Sequence, residues 1–273
     1  QKDDPESQIN KAIPQVGGDT DAVTSLDNGC MVIRPGKLEK KIRGNLAWCP
    51  LVTQKSGAEH QAQFFCEIGK GVSPTLLSAD VETVVFVGAG EGVITIAGQD
   101  MAFKPQSGLY IRPNEVFSFK NESDTALKLY LTQCPGAKVT TLVFADDSDE
   151  KRQTFDHSHP DRLALMDHES RHAMGDRYWQ LLIEERHGAD MITQFVGHIP
   201  PSKAMPHRHL YEETLIFQSG RGMVWTLNQK TPVAEGDVLF LPRKQWHSVQ
   251  PFGPDGLMVV GVIYPGNNPG INY

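Results

Sequence analysis

The chain has 273 residues, 39% hydrophobic and 22% charged, a composition that can bury a core and that excludes a disordered or fibrous protein. A formal net charge of −7 gives no support to the clustered basic surface that a nucleic-acid partner requires. No stretch approaches the ~18 apolar residues of a membrane-spanning helix, and 25 Gly and 18 Pro residues set between short apolar runs favour strands and turns.

Residues 1–45 form an N-terminal segment that opens QKDDPESQIN, without Met. That start is expected of a chain from which a leader or a tag has been removed, so both a cytoplasmic and an exported location fit. Cys30, Cys49, Cys66 and Cys134 follow at irregular spacings, with no CxxC pair. This is neither a zinc framework nor a disulfide-dense scaffold; one disulfide in an exported protein and four buried thiols both fit.

The next segment, residues 46–144, contains ETVVFVGAGEGVITIAGQDMAFKPQSGLYIRPNEVFSF, from Glu82 to Phe119. Its β-rich runs fold about glycines and recur at roughly ten-residue intervals, the pattern of hairpins in a sandwich or barrel. A polar linker, residues 145–175, comes after it. Its charge run ADDSDEKRQ reads as solvated, and HPDRLALMDHESRHAM is the patch with helical character. His157, His159, His168 and His172 lie in this linker as a His-x-His and an i,i+4 pair. Without an apolar strand frame they read as solvated residues, not as a second metal site.

Residues 176–273 repeat the pattern of the first domain. ETLIFQSGRGMVWTLNQKTPVAEGDVLFLPRKQWHSV, from Glu213 to Val249, matches the earlier segment about 130 residues on. Glu82 aligns with Glu213, Phe86 with Phe217, Gly92 with Gly222 and Pro113 with Pro242. A repeat of this period predicts a duplicated domain. The fold class is therefore mostly β, in two similar barrels.

The second copy carries the chemistry. In PHRHLYEE, residues 206–213, His207 and His209 stand two apart, so a strand points both to one face. Glu213 follows at an even step and keeps that face, whereas Glu212 turns away. His247, on a later strand of the same barrel, closes the set. Three imidazoles and a carboxylate suit one divalent transition metal (Fe, Mn, Ni, Co or Zn) and leave positions open for water or substrate. The first copy has Leu76, Ser78 and Ser118 opposite the three histidines and keeps only Glu82, so that barrel is expected to be metal-free. Around the second-copy site, Gln194, Gln218, Trp225 and Trp246 are the tentative substrate-pocket residues.

These residues resemble the two motifs of the cupin superfamily. His207, His209, Glu213 and Gly220 fit G-x5-H-x-H-x3,4-E-x6-G, with Pro201 in place of the leading Gly. Gly236, Pro242 and His247 fit G-x5-P-x-G-x2-H-x3-N, with Lys244 and Pro251 in place of the inner Gly and the Asn. The resemblance implies tandem cupin (double-stranded β-helix, or jelly-roll) barrels and a metal held by His207, His209, Glu213 and His247. The two-barrel plan and the LNQ turn at 227–229 are similar to the (S)-ureidoglycine aminohydrolase group, whose E-x-H-x3-H ligand pattern this chain lacks. Within the superfamily such a ligand set accompanies dioxygenases, decarboxylases and isomerases. The resemblance thus implies an enzyme on a small polar metabolite, dioxygenase-like first. A ureidoglycine-type hydrolase and a non-catalytic metal-containing binding or sensor protein are the alternatives. Exposed barrel edges also suggest a homodimer.

Overall fold

The computed structural model describes residues 12–166, 172–174, 177–201, 206–266 and 269. Strands dominate, in two jelly-roll barrels. Among the described residues no helix is long and apolar enough to cross a membrane.

In the first barrel the large sheet runs Leu163–Ala164, Gly108–Ile111, Glu82–Ala89, Leu127–Cys134, Ala62–Ile68, Leu46–Val52 and Lys41–Arg43. Facing it are Gln99–Phe103, Gly92–Ile96, Val116–Asn121 and Gly71–Val72, with Leu76–Leu77 also paired to Val116–Asn121. In the second barrel the large sheet runs Val23–Ser25, Met31–Ile33, Val238–Leu241, Glu212–Ser219, Leu257–Tyr264, Thr193–Ile199, Arg177–Ile183 and His172–Met174. Lys230–Ala234, Arg221–Trp225 and Ser248–Phe252 face it.

Three apolar layers hold these sheets. Phe64, Val85, Phe117 and Leu129 belong to the core inside the first barrel, and Leu215, Phe217, Val249 and Val259 to that inside the second. The third layer lies between the barrels, where Val84, Phe86, Ile183, Val196, Phe240 and Val262 pack the outer faces of the large sheets together. Alternation along a strand supplies both layers at once. In Thr193–Ile199, Phe195 and Ile199 enter the barrel while Val196 enters the layer between. Strands buried on both faces have no room for a polar alternation, which is why runs such as VLFL, residues 238–241, are apolar throughout.

Each barrel is finished by a strand from the segment ahead of the other. Met31–Ile33, before the first barrel, pairs with Val238–Leu241 of the second. Leu163–Ala164, before the second, pairs with Gly108–Ile111 of the first.

The strand register revises the repeat alignment. Glu82 pairs with Cys134 as Glu212 pairs with Tyr264, and Thr83 pairs with Ile111 as Glu213 pairs with Leu241. Glu82 therefore corresponds to Glu212, and Thr83 to Glu213. The two adjacent glutamates at 212 and 213 let a sequence match slip by one residue, and in a strand that slip exchanges the faces. Likewise Phe117 pairs with Leu76 as His247 pairs with His207, so Phe117, not Ser118, stands opposite His247.

The linker also differs from expectation. The helix lies in the charge run, at Asp147–Lys151, where Asp146 and Asp149 form a reciprocal cap. The patch expected to be helical instead gives the strands Leu163–Ala164 and His172–Met174; His168 lies outside the described residues. All four cysteines are buried free thiols.

Candidate metal centre

Three imidazoles meet at the mouth of the second barrel. His207 and His247 are backbone partners, each N–H donating to the other's carbonyl at 3.0 Å. Their rings lie 4.3 Å apart, and His209 sits 4.9 Å from the first and 5.3 Å from the second. One ring nitrogen from each falls within 4.8 Å of the others, spacing that a single ion can span.

The surroundings prepare the rings as ligands. His247 Nδ1 is 2.9 Å from the Gln245 carbonyl, which can only accept; Nδ1 therefore carries the proton and Nε2 keeps its lone pair. Burial, then the neighbouring His207 and His209, hold the His247 imidazole well below its ordinary pKa, so it is neutral. His209 stacks on Tyr211 at 4.6 Å with planes 12° apart, which fixes its ring. The Lys244 N–H donates to the His209 carbonyl at 2.7 Å and ties the turn before His247 to the His-x-His segment. Lys244 adopts φ +66°, the left-handed conformation that favours glycine, at the place of the inner motif Gly. Asn114 does the same in the first barrel, with φ +68°.

Glu213 lies in the strand Glu212–Ser219 and lines the same cavity as the three rings. Its oxygens are not among the mutually close atoms that join the histidines. Burial alone raises its carboxyl to about 8. A buried carboxyl lining one cavity with three crowded imidazoles is a donor set that a divalent ion would complete. The residues fit such an ion.

The cavity is small, about 70 Å³, and its walls are apolar: Trp179, Phe195, Leu215, Val249 and Val259 line it beside the ligands. No lysine or arginine is among its described lining residues. Gln194, Gln218, Trp225 and Trp246 are not among the cavity's described lining residues. Gln194 points between the barrels and donates to the Val85 carbonyl at 3.3 Å. Gln218 lines a separate cleft with Tyr130 and Asp237. Trp225 belongs to the barrel core, with the Lys230 ammonium 4.7 Å from its ring, and the Arg208 guanidinium lies over Trp246 at 5.1 Å. Tyr211 was legible in the sequence, two residues beyond His209 and hence on its face. Trp179 and Phe195 were not, since only the folded sheet brings them to the histidines.

The equivalent place in the first barrel is filled. Leu76, Ser78, Thr83 and Phe117 stand where the second barrel has His207, His209, Glu213 and His247. Ser78 and Thr83 satisfy each other at 2.6 Å, and Phe117 is buried in the core.

Known proteins agree with this architecture. The Cupin domain family model matches residues 195–260. Protein YlbA from E. coli, described under the family model DUF861, is 14% identical with a TM-score of 0.64, over 97% of this chain and 99% of that one. Oxalate decarboxylase from Lactobacillus farciminis, solved as a formate complex, is 13% identical with a TM-score of 0.64, over 88% and 87%. A Pseudomonas aeruginosa structure titled as a putative glyoxylate-induced protein is 16% identical with a TM-score of 0.64, over 94% and 96%. No curated protein sequence matches the chain. The fold is that of two tandem cupin barrels.

Proposed function

We propose that the second barrel binds one divalent transition metal through His207, His209, Glu213 and His247, and that the protein is a metal-dependent enzyme acting on a small metabolite. The observation that carries this reading is the convergence of three imidazole nitrogens within 4.8 Å in a small cavity with apolar walls. A core of similar size would be more stable with apolar residues there, such as the buried Leu76 and Phe117 at the equivalent place in the first barrel.

When bound, such an ion supplies Lewis acidity or, if it is iron, access to oxygen chemistry. The chain's own part is to present three converging imidazoles, to fix the His247 tautomer through the Gln245 carbonyl, and to wall the site with Trp179, Phe195 and Val259. Apolar walls shield reactive species, which supports dioxygenase-like chemistry first. The oxalate decarboxylase neighbours, one of them studied for its Mn(II) centres, favour manganese and a decarboxylation as the second reading. An aminohydrolase of the ureidoglycine type ranks below both because the ligand pattern differs.

Elemental analysis of the purified protein beside His207→Ala and His247→Ala tests the site. The expected result is about one equivalent of Fe, Mn, Ni, Co or Zn, lost in both variants. Metal retained in both would place it elsewhere. Bound metal without turnover of small acids, ureides or dioxygen-dependent substrates would make the barrel a binding or sensor protein.

A further inference from the structure

The duplication offers an internal comparison at the floor of the cavity. In the second barrel Gly197 pairs with Trp179 on one side and Val259 on the other. In the first, Cys66 pairs with Trp48 and Leu129 in the same manner. The flanking residues are thus equivalent, a tryptophan and an aliphatic residue in each barrel core. The central residue is not. Cys66 is 1% exposed and fills its place, whereas Gly197 has no side chain and lines the cavity with the histidines.

Nothing in the backbone demands glycine at 197. Its φ is not in the left-handed region, and a Cβ built there would meet the Val259 side chain at 3.4 Å and the Tyr178 carbonyl at 3.5 Å, ordinary contacts. Glycine inside a strand costs stability relative to alanine. Here it leaves a hollow between Trp179 and Val259 that opens to the three imidazoles.

We infer that Gly197 is a specificity-determining position, and that its hollow takes the apolar body of a small substrate whose polar end faces the metal. The inference rests on the proposed metal reading for that orientation, though the hollow itself does not. Trp179, Phe195, Ile199, Leu215 and Val259 wall it, and a volume of about 70 Å³ admits a group of only a few heavy atoms, such as a short branched alkyl. Among its described lining residues there is no lysine or arginine to meet a second carboxylate, and the walls are apolar, so a dianion is disfavoured there. The substrate class is therefore uncharged or singly charged and apolar-bodied, in contrast to oxalate.

Binding of isobutyramide and of oxalate to metal-loaded protein, followed by ligand-observed NMR, tests this in the unmodified chain, Gly197→Ala and Gly197→Val. Isobutyramide is expected to bind the unmodified protein. Affinity should fall in Gly197→Ala and by roughly tenfold or more in Gly197→Val, with metal content by elemental analysis unchanged in both. Gly197→Ala keeps ordinary contacts and so stands as the readout if the valine variant does not fold. The proposal is overturned if isobutyramide fails to bind, if its affinity is unaffected by either variant, or if oxalate binds more tightly. If the unmodified protein holds no metal, the same titration on metal-free protein still decides the hollow separately from the metal reading.

Discussion

Glu82 and Glu212 bind the two barrels together by the same contact made in opposite directions. Glu82, in the first barrel, accepts the backbone N–H groups of Asp190, Met191 and Ile192 in the second, at 2.5, 2.9 and 3.3 Å. Glu212, in the second, accepts those of Glu59, His60 and Gln61 in the first, at 2.7, 3.1 and 2.8 Å. Each carboxylate satisfies a turn that would otherwise bury three donors. The adjacent Glu213 lines the cavity on the other side of the strand, so neighbouring glutamates divide docking from the proposed metal site.

That division predicts separable phenotypes. Glu212→Ala leaves three N–H groups without a buried acceptor and should lower stability by roughly 3 kcal/mol in urea unfolding. Once folded, it should keep its metal. Glu213→Ala should lose metal affinity and cost less stability in the metal-free protein, since it removes a carboxyl that burial already disfavours. If metal content fell equally in both variants, the assignment of faces would be wrong.

The Glu213 carboxyl also gives the metal-free protein a pH signature. Unfolded, it ionises near 4.5; folded, only near 8. Between these values the native state holds the extra proton, so its stability falls as pH rises through that window, by on the order of 5 kcal/mol in total. His247 works the other way: its folded pKa lies below 6.5, so it costs stability as pH falls below that value. The clean range is thus about pH 6.5 to 8, where the melting temperature of metal-free protein should drop. In Glu213→Gln that slope should vanish. Metal affinity should rise over the same range, because binding displaces the proton.

Lys244 offers a third test. It occupies a left-handed turn at φ +66° where the resembling motif has glycine, and its N–H holds the His209 carbonyl. Lys244→Gly relieves the Cβ strain at some cost in unfolded-chain entropy, for a net gain of about 0.5 kcal/mol. Thermal denaturation should show a small rise in midpoint with metal content unchanged. A fall would mean that the lysine side chain contributes more than its backbone strain costs.

Much of this was readable in the sequence because it depends on short-range geometry. The His-x-His spacing marked the cluster although only His207 joins a β-bridge and the strand begins at Glu212, and the repeat announced two barrels. Legibility failed where one residue of register mattered: Glu82 was matched to Glu213 when the pairing makes it the partner of Glu212. It failed again for long-range contacts. Arg162, in the patch that reads as helical, is fully buried and grips Glu115 with both terminal nitrogens at 2.6 and 3.0 Å. No local pattern distinguishes such an arginine from a solvated one. The cavity walls Trp179 and Phe195 belong to the same class, since pairing across the sheet brings them to the histidines.

The strand exchange between barrels carries the last prediction. A fragment of residues 176–273 contains all four proposed ligands but lacks Met31–Ile33, which covers the edge strand Val238–Leu241. It also lacks Arg34, whose buried guanidinium donates to Thr231 Oγ1 and to the Pro232 carbonyl, at 3.4 and 3.0 Å. An apolar edge left open invites non-native pairing, and the outer face that packs against the first barrel is exposed too. The fragment should therefore aggregate or remain unfolded and bind no metal. Co-expression with residues 1–175 should restore both solubility and metal content, because the missing strand and the docking face return together. A fragment that folds alone and holds one equivalent of metal would show that the exchanged strand is dispensable, and that the second barrel is a self-sufficient unit.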